Sequence, residues 1–204
     1  MSMVKICGVT TPADARRAVD LGADLLGLNF HPPSPRCLDP DRAAEVADAV
    51  RGRVPLVGVF VHQTSEEIAE IDRRVGLDLI QLHGPPDPEA AAVWGDRAIQ
   101  VFRREAPPDA EELARYGRVW GFLFDVPHGN LYGGTGVSWQ YGTLAGVGTD
   151  KPVLVAGGIR PDNARRALEV SGAAGLDVCS GVESSPGVKD PKLMERLIAE
   201  VRDG

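Results

Sequence analysis

Eight times in 204 residues a short apolar run rich in β-branched side chains is followed by a helical pattern, and this count constrains the fold more than any other feature. The runs are Val4 to Cys7, Asp24 to Phe30, Pro55 to Val61, Leu77 to Leu82, Ala98 to Phe102, Val119 to Phe124, Pro152 to Ala156 and Gly175 to Val178. The helical segments run from Pro12 to Leu21, about Asp41 to Val50, Ser65 to Val75, Pro88 to Trp94, Ala110 to Tyr116, a weak one near Trp139 to Leu144, then Pro161 to Val170 and Pro191 to Val201. Thr11 and Thr64 are candidate N-caps, and Gly22 stands just past the end of the first helix. The strands show little alternation, as expected when both faces are covered. Eight units of roughly 25 residues predict an α/β chain forming one (β/α)8 barrel over residues 1–204, near the minimum length of about 200. An open doubly wound sheet is the structural alternative, but it needs only five or six units.

Other classes are excluded by composition. The longest apolar runs, such as Val54 to Val61, have strand length and fall far short of the ~18 residues of a membrane span. No signal peptide pattern follows Lys5. The net charge is −7, and the 18 Arg and 4 Lys are scattered among acids, so no nucleic-acid partner and no membrane partner are expected. An anion would have to bind in a local pocket. Cys7, Cys37 and Cys179 are odd in number and far apart, unlike a disulfide framework or a zinc site. A cytoplasmic protein is expected.

In such a barrel, chemistry sits where strands end and βα loops begin. Those positions hold Cys7, Asn29, the Arg36 loop, His62, His83, Arg103, Asp125 and two small-residue turns. The turns are Gly157-Gly158 after the seventh strand and Ser180-Gly181 after the eighth. Side by side they can offer several backbone N–H groups to an anion, and this is the usual phosphate position of the fold. Either alone would be an ordinary tight turn. There is no Walker spacing, which argues against a nucleoside triphosphate. Taken singly, a strand-end Cys is often a small buried hydrophobe. An Asp after Trp120 to Phe124 is as readily a solvated or capping residue, and an Arg in a Pro-rich loop a surface one.

The pattern as a whole resembles phosphoribosylanthranilate isomerase of tryptophan biosynthesis. The matching segments are Lys5-Ile6-Cys7-Gly8, Ser34-Pro35-Arg36, Val57-Gly58-Val59-Phe60 and Gln81-Leu82-His83-Gly84. They continue with Phe124-Asp125, Gly133-Gly134-Thr135-Gly136, Ala156-Gly157-Gly158-Ile159-Arg160-Pro161-Asp162-Asn163, Asp177 to Glu183, and Lys189-Asp190. The resemblance implies a cofactor-free Amadori rearrangement of a phosphorylated small-molecule substrate, with Cys7 as general base and Asp125 as general acid. It implies Arg36 on the anthranilate carboxylate, where a guanidinium fork pairs bidentately. His83 and Asp177 would lie near the substrate, the Gly157, Gly158, Ser180 and Gly181 turns would hold the phosphate, and Gly133 to Gly136 would fold over the site. A basic Cys7 must be a thiolate, so nearby donors should lower its pKa. Phe122 or Phe124 would supply apolar surroundings that keep Asp125 protonated part of the time.

Four positions depart from the family pattern: Pro33 before Ser34, Val126 after the aspartate, Cys179 in place of the first of two serines, and Val137-Ser138-Trp139 after the glycine loop. None removes a catalytic group. The corresponding histidine-pathway isomerisation, alone or as a second activity, is the enzymatic alternative. It is disfavoured by Cys7 and by the lack of a Gly-Gly turn in the first half. A catalytically silent sugar-phosphate-binding barrel is the non-enzymatic alternative. A monomer or a homodimer fits equally.

Overall fold

The structure is a computed structural model that describes residues 2–104, 106–125 and 141–202. Eight parallel strands close into a barrel in chain order: β1 (Met3–Cys7), β2 (Leu25–Asn29), β3 (Leu56–Phe60), β4 (Leu79–Leu82), β5 (Ala98–Phe102), β6 (Gly121–Asp125), β7 (Val153–Ala156) and β8 (Gly175–Val178). Outside them lie α1 (Pro12–Leu21), α2 (Pro40–Asp48), α3 (Ser65–Val75), α4 (Pro88–Trp94), α5 (Ala110–Ala114), α6 (Ala164–Ser171) and α7 (Pro191–Arg202). The weak helix read near Trp139 to Leu144 begins outside the described residues, as do Gly133 to Gly136, Val126 and Val137-Ser138-Trp139.

Local chemistry sets the helix ends. Thr64 and Glu67 form a reciprocal capping box at the start of α3, and Gly76 closes it with φ 71°. Asp39 and Asp87 cap α2 and α4, each followed by a proline at the first helical position. α6 starts later than its apolar pattern suggests. Asn163 Oδ1 accepts from the Arg160 amide at 2.7 Å, so Pro161 to Asn163 form a turn before the helix proper. α5 is shorter than read because Tyr116 and Gly117 donate to residues three back, tightening its last turn.

Alternation along each strand creates two apolar layers. Val4, Ile6, Leu26, Leu28, Phe60, Ile80 and Phe122 point outward and pack under the helices. Leu25, Val57, Leu79, Ile99, Val101, Leu123 and Leu154 point inward and fill the barrel. The inward series continues toward the C-terminal ends as polar residues, and these build the site. The closing helix α7 is tied back to the start of the barrel by Arg202, which donates to Ser2 O at 2.6 Å, Gly22 O at 3.0 Å and Asp24 Oδ2 at 2.6 Å.

Candidate active site

A cavity of about 510 Å³ opens at the C-terminal rim of the barrel. Cys7, Arg36, His83, Asp125, Gly157, Gly158, Asp177, Ser180 and Gly181 all line it, together with Asn29, Gln81, Arg103 and Cys179. The inward alternation explains why: Lys5 and Cys7, Gln81 and His83, Leu123 and Asp125, and Asp177 and Cys179 are each two residues apart on one face. His62 is not among the lining residues.

On one side the site is a packed ionic cluster. Lys5, fully buried, donates from Nζ to Asp177 Oδ1 at 2.8 Å, 172 residues away in sequence. Burial works against this ammonium, but Asp177 and the Cys7 sulfur carry its pKa above the ordinary lysine value. Lys189 is equally buried and donates to Glu183 Oε1 at 2.8 Å and Cys179 O at 3.1 Å. Glu183 also holds Arg36, accepting from Nε at 2.8 Å and Nη2 at 2.5 Å. Burial raises the Glu183 carboxyl, yet Arg36 and Lys189 outweigh it and the net shift is downward. Arg36 therefore enters the site with two of its nitrogens already engaged, a pairing its sequence position did not reveal.

Cys7 sits above the Lys5–Asp177 pair, opposite Gly27 of β2. A Cβ on Gly27 would fall 2.7 Å from the Cys7 sulfur, so this glycine makes the space that the thiol occupies. A hydrogen bond from Cys179 draws the Cys7 pKa down against burial and Asp177, with help from Lys5 and Lys189. The Cys179 thiol is pushed up by the same hydrogen bond and by burial.

The opposite side is looser. Asp125 Oδ2 lies 3.5 Å from His83 Nε2 and 3.5 Å from Arg103 Nε, and the Arg103 side chain is 69% exposed. His83 Nδ1 is 3.5 Å from Gln81 Nε2. The expectation that Phe122 and Phe124 would surround the carboxyl fails. Both occupy outward positions, packed with Phe102 in the layer under the helices, while Asp125 faces inward toward two nitrogen groups.

Between these sides lie the two turns. Gly157 and Gly158 have φ of 94° and 57°, a region that strains any other residue. A Cβ on Gly181 would fall 1.8 Å from Ile159 O, so the turn after β8 packs directly on the turn after β7. Ser180 opens a single 3-10 turn, Ser180–Val182, and Tyr141 OH anchors the first turn by donating to Gly157 O.

Sequence reasoning missed Lys5, Lys189, Glu183 and the short hairpin of β9 (Glu183–Ser185) and β10 (Val188–Lys189) that carries the last two. Pro186-Gly187 between two short runs is the turn signal that would have found the hairpin. A lysine inside the apolar run Met3 to Cys7, in phase with the cysteine, would have flagged Lys5.

Fold and site define the class: a (β/α)8 barrel with a thiol and a carboxylate facing one polar cavity at its C-terminal rim. A family model described as N-(5'phosphoribosyl)anthranilate (PRA) isomerase matches residues 4–200, and the chain belongs to that family. A protein of Magnetococcus marinus named N-(5'-phosphoribosyl)anthranilate isomerase is 41% identical over 199 residues, covering 98% of this chain and 94% of its own. The crystal structure of phosphoribosyl anthranilate isomerase from Thermotoga maritima superposes with a TM-score of 0.89 at 31% identity, covering 100% of both chains. A phosphoribosyl anthranilate isomerase solved with reduced 1-(o-carboxyphenylamino)-1-deoxyribulose 5-phosphate gives 0.82 at 30% identity, again over 100% of each chain. Among the described residues no helix is long and apolar enough to cross a membrane.

Proposed function

We propose that this chain converts N-(5-phosphoribosyl)anthranilate to 1-(2-carboxyphenylamino)-1-deoxyribulose 5-phosphate, with Asp125 as general acid and Cys7 as general base. The observation that carries the reading is that Cys7 and Asp125 enter one cavity from separate strands, with the two small-residue turns between them. Asp125 delivers a proton to the furanose ring oxygen as the C1–O bond breaks, leaving an iminium between C1 and the anthranilate nitrogen. The Cys7 thiolate then removes the C2 proton. The electron pair moves into the C1–C2 bond and neutralises the nitrogen, and the enol so formed tautomerises to the ketone. Arg36 pairs with the anthranilate carboxylate, and the turns at Gly157-Gly158 and Ser180-Gly181 hold the phosphate. His83 stands beside Asp125, and Asp177 orders Lys5 beneath the base.

Turnover of purified protein with this substrate, compared with the histidine-pathway counterpart, tests the reaction. Inorganic phosphate should inhibit competitively, and Gly158→Val should raise KM strongly. Activity on the histidine-pathway substrate alone, or an unchanged KM in Gly158→Val, would overturn the substrate or the phosphate assignment respectively.

A further inference from the structure

Cys7 and Cys179 lie at opposite ends of the chain but at the same end of neighbouring strands: Cys7 closes β1, and Cys179 directly follows β8. β1 and β8 pair in parallel with Lys5 opposite Asp177 and Ile6 opposite Val178. The pairing ends there, and Cys7 and Cys179 are the next residue on each side; extended one step, the register would set them side by side on the inward face that carries the Lys5–Asp177 pair. Adjacent strands run about 4.8 Å apart, and a disulfide spans Cα separations of about 4.4–6.8 Å. The Cys179 sulfur leans toward β1, 3.0 Å from where a Cβ on Gly8 would stand. Both cysteines line the open cavity, so a small oxidant reaches them. Lys189 Nζ lies 4.0 Å from the Cys179 sulfur, and the Lys5 ammonium faces Cys7 from below.

We propose that Cys7 and Cys179 are a redox modification site, closed to a reversible disulfide by a hydroperoxide and disarmed as a catalytic site while closed. The disulfide follows from the register; the loss of turnover rests on Cys7 serving as the base. The chemistry balances in two steps. The Cys7 thiolate attacks the peroxide oxygen, the O–O bond breaks, and Cys7 sulfenic acid forms as hydroxide or alkoxide leaves and takes up a proton. Cys179 then attacks the sulfenic sulfur, the S–O bond breaks, and its thiol proton leaves with the hydroxyl as water. Overall, two thiols are oxidised and one hydroperoxide is reduced to water and an alcohol, or to two waters from hydrogen peroxide. Cys7 is suited to the first step because nearby donors favour its thiolate. Cys179 is suited to the second because it keeps its proton until attack. A serine at position 179 would allow the first step and not the second.

The test treats the protein with a small excess of hydrogen peroxide. It reads intact mass, free thiols and cross-linked peptides, and activity before and after dithiothreitol, each variant against its own untreated rate. Wild type should lose two hydrogens, its three free thiols falling to one, with Cys7 and Cys179 in one cross-linked peptide. Turnover should fall roughly tenfold or more and return on reduction. Cys179→Ser should form no such cross-link, and its inactivation should proceed to sulfinic acid that dithiothreitol does not reverse. Cys37→Ser should behave as wild type. Absence of the Cys7–Cys179 cross-link, or a cross-link through Cys37, would overturn the site. A cross-linked protein with undiminished turnover would overturn the disarming and place the base elsewhere, which separates the two assignments.

Discussion

The two sides of the cavity are built on different principles. Around β1 and β8, Lys5, Asp177, Lys189, Glu183 and Arg36 are joined by contacts of 2.5–2.8 Å, and both lysine side chains are fully buried. Around β4 to β6, His83, Arg103 and Asp125 meet at 3.5 Å and remain partly open to solvent. A buried charge must have its partner in the folded protein, because the cost of leaving it bare is several kcal/mol. The Asp125 carboxylate, 22% exposed, keeps contact with solvent and needs no partner fixed by the fold. On the proposed roles, the base is held in place by the fold, and the acid is left to be aligned by the ligand.

Both sides should be indispensable for turnover, and this is the largest effect. Cys7→Ser and Asp125→Asn should each lower kcat by about 10²–10⁴ at saturating substrate. Near-normal turnover in either would remove that side from the chemistry. Because the Cys7 pKa is drawn down, kcat/KM should fall only as pH drops below the ordinary thiol range of about 8.5. Lys5, Asp177, Cys179 and Lys189 all face this thiol and jointly set where the fall lies. A fall centred at or above that range would show the cluster does not tune the base.

Stability should separate the sides next. Lys5→Met leaves Asp177 without its buried partner and should cost about 3–5 kcal/mol in urea unfolding. The linkage sign follows from a raised lysine pKa: the Lys5 contribution is fully present below the unfolded lysine value of about 10.4 and is lost as pH rises from there through the folded one. Arg36→Ala comes third. It should weaken kcat/KM for the anthranilate substrate by about 2–3 kcal/mol, expressed mainly in KM. An unchanged KM would make Arg36 only a partner of Glu183. The smallest effect is expected of Arg103→Ala, within about 0.5 kcal/mol in stability. A loss comparable to that of Lys5→Met would erase the contrast between the two sides.

The same contrast governs what the sequence could disclose. α3 was legible to the residue, since Thr64 and Gly76 mark its ends locally, and the eight-fold count and rim positions followed from pattern alone. The turns after β7 and β8 were legible because small residues announce themselves. The Lys5–Asp177 pair was not, because a partner 172 residues away leaves no periodic trace. Nor was the grip of Glu183 on Arg36, across 147 residues. The error over Phe122 and Phe124 came from reading β6 as one apolar run, when alternation sends those rings away from Asp125.

The pairing of β1 with β8 has a consequence for the order in which the molecule becomes reactive. The ribosome makes β1 first and β8 last, and the thiol of Cys7 meets Cys179, Asp177 and Lys189 only when that final strand docks beside the first. A nascent or truncated chain with seven strands lacks Cys179 and Lys189 and keeps only Lys5 of the groups that draw the Cys7 pKa down. Proteolysis that removed the C-terminal segment would return the sulfur toward the ordinary thiol range, so the titration of one residue reports whether the ring is closed.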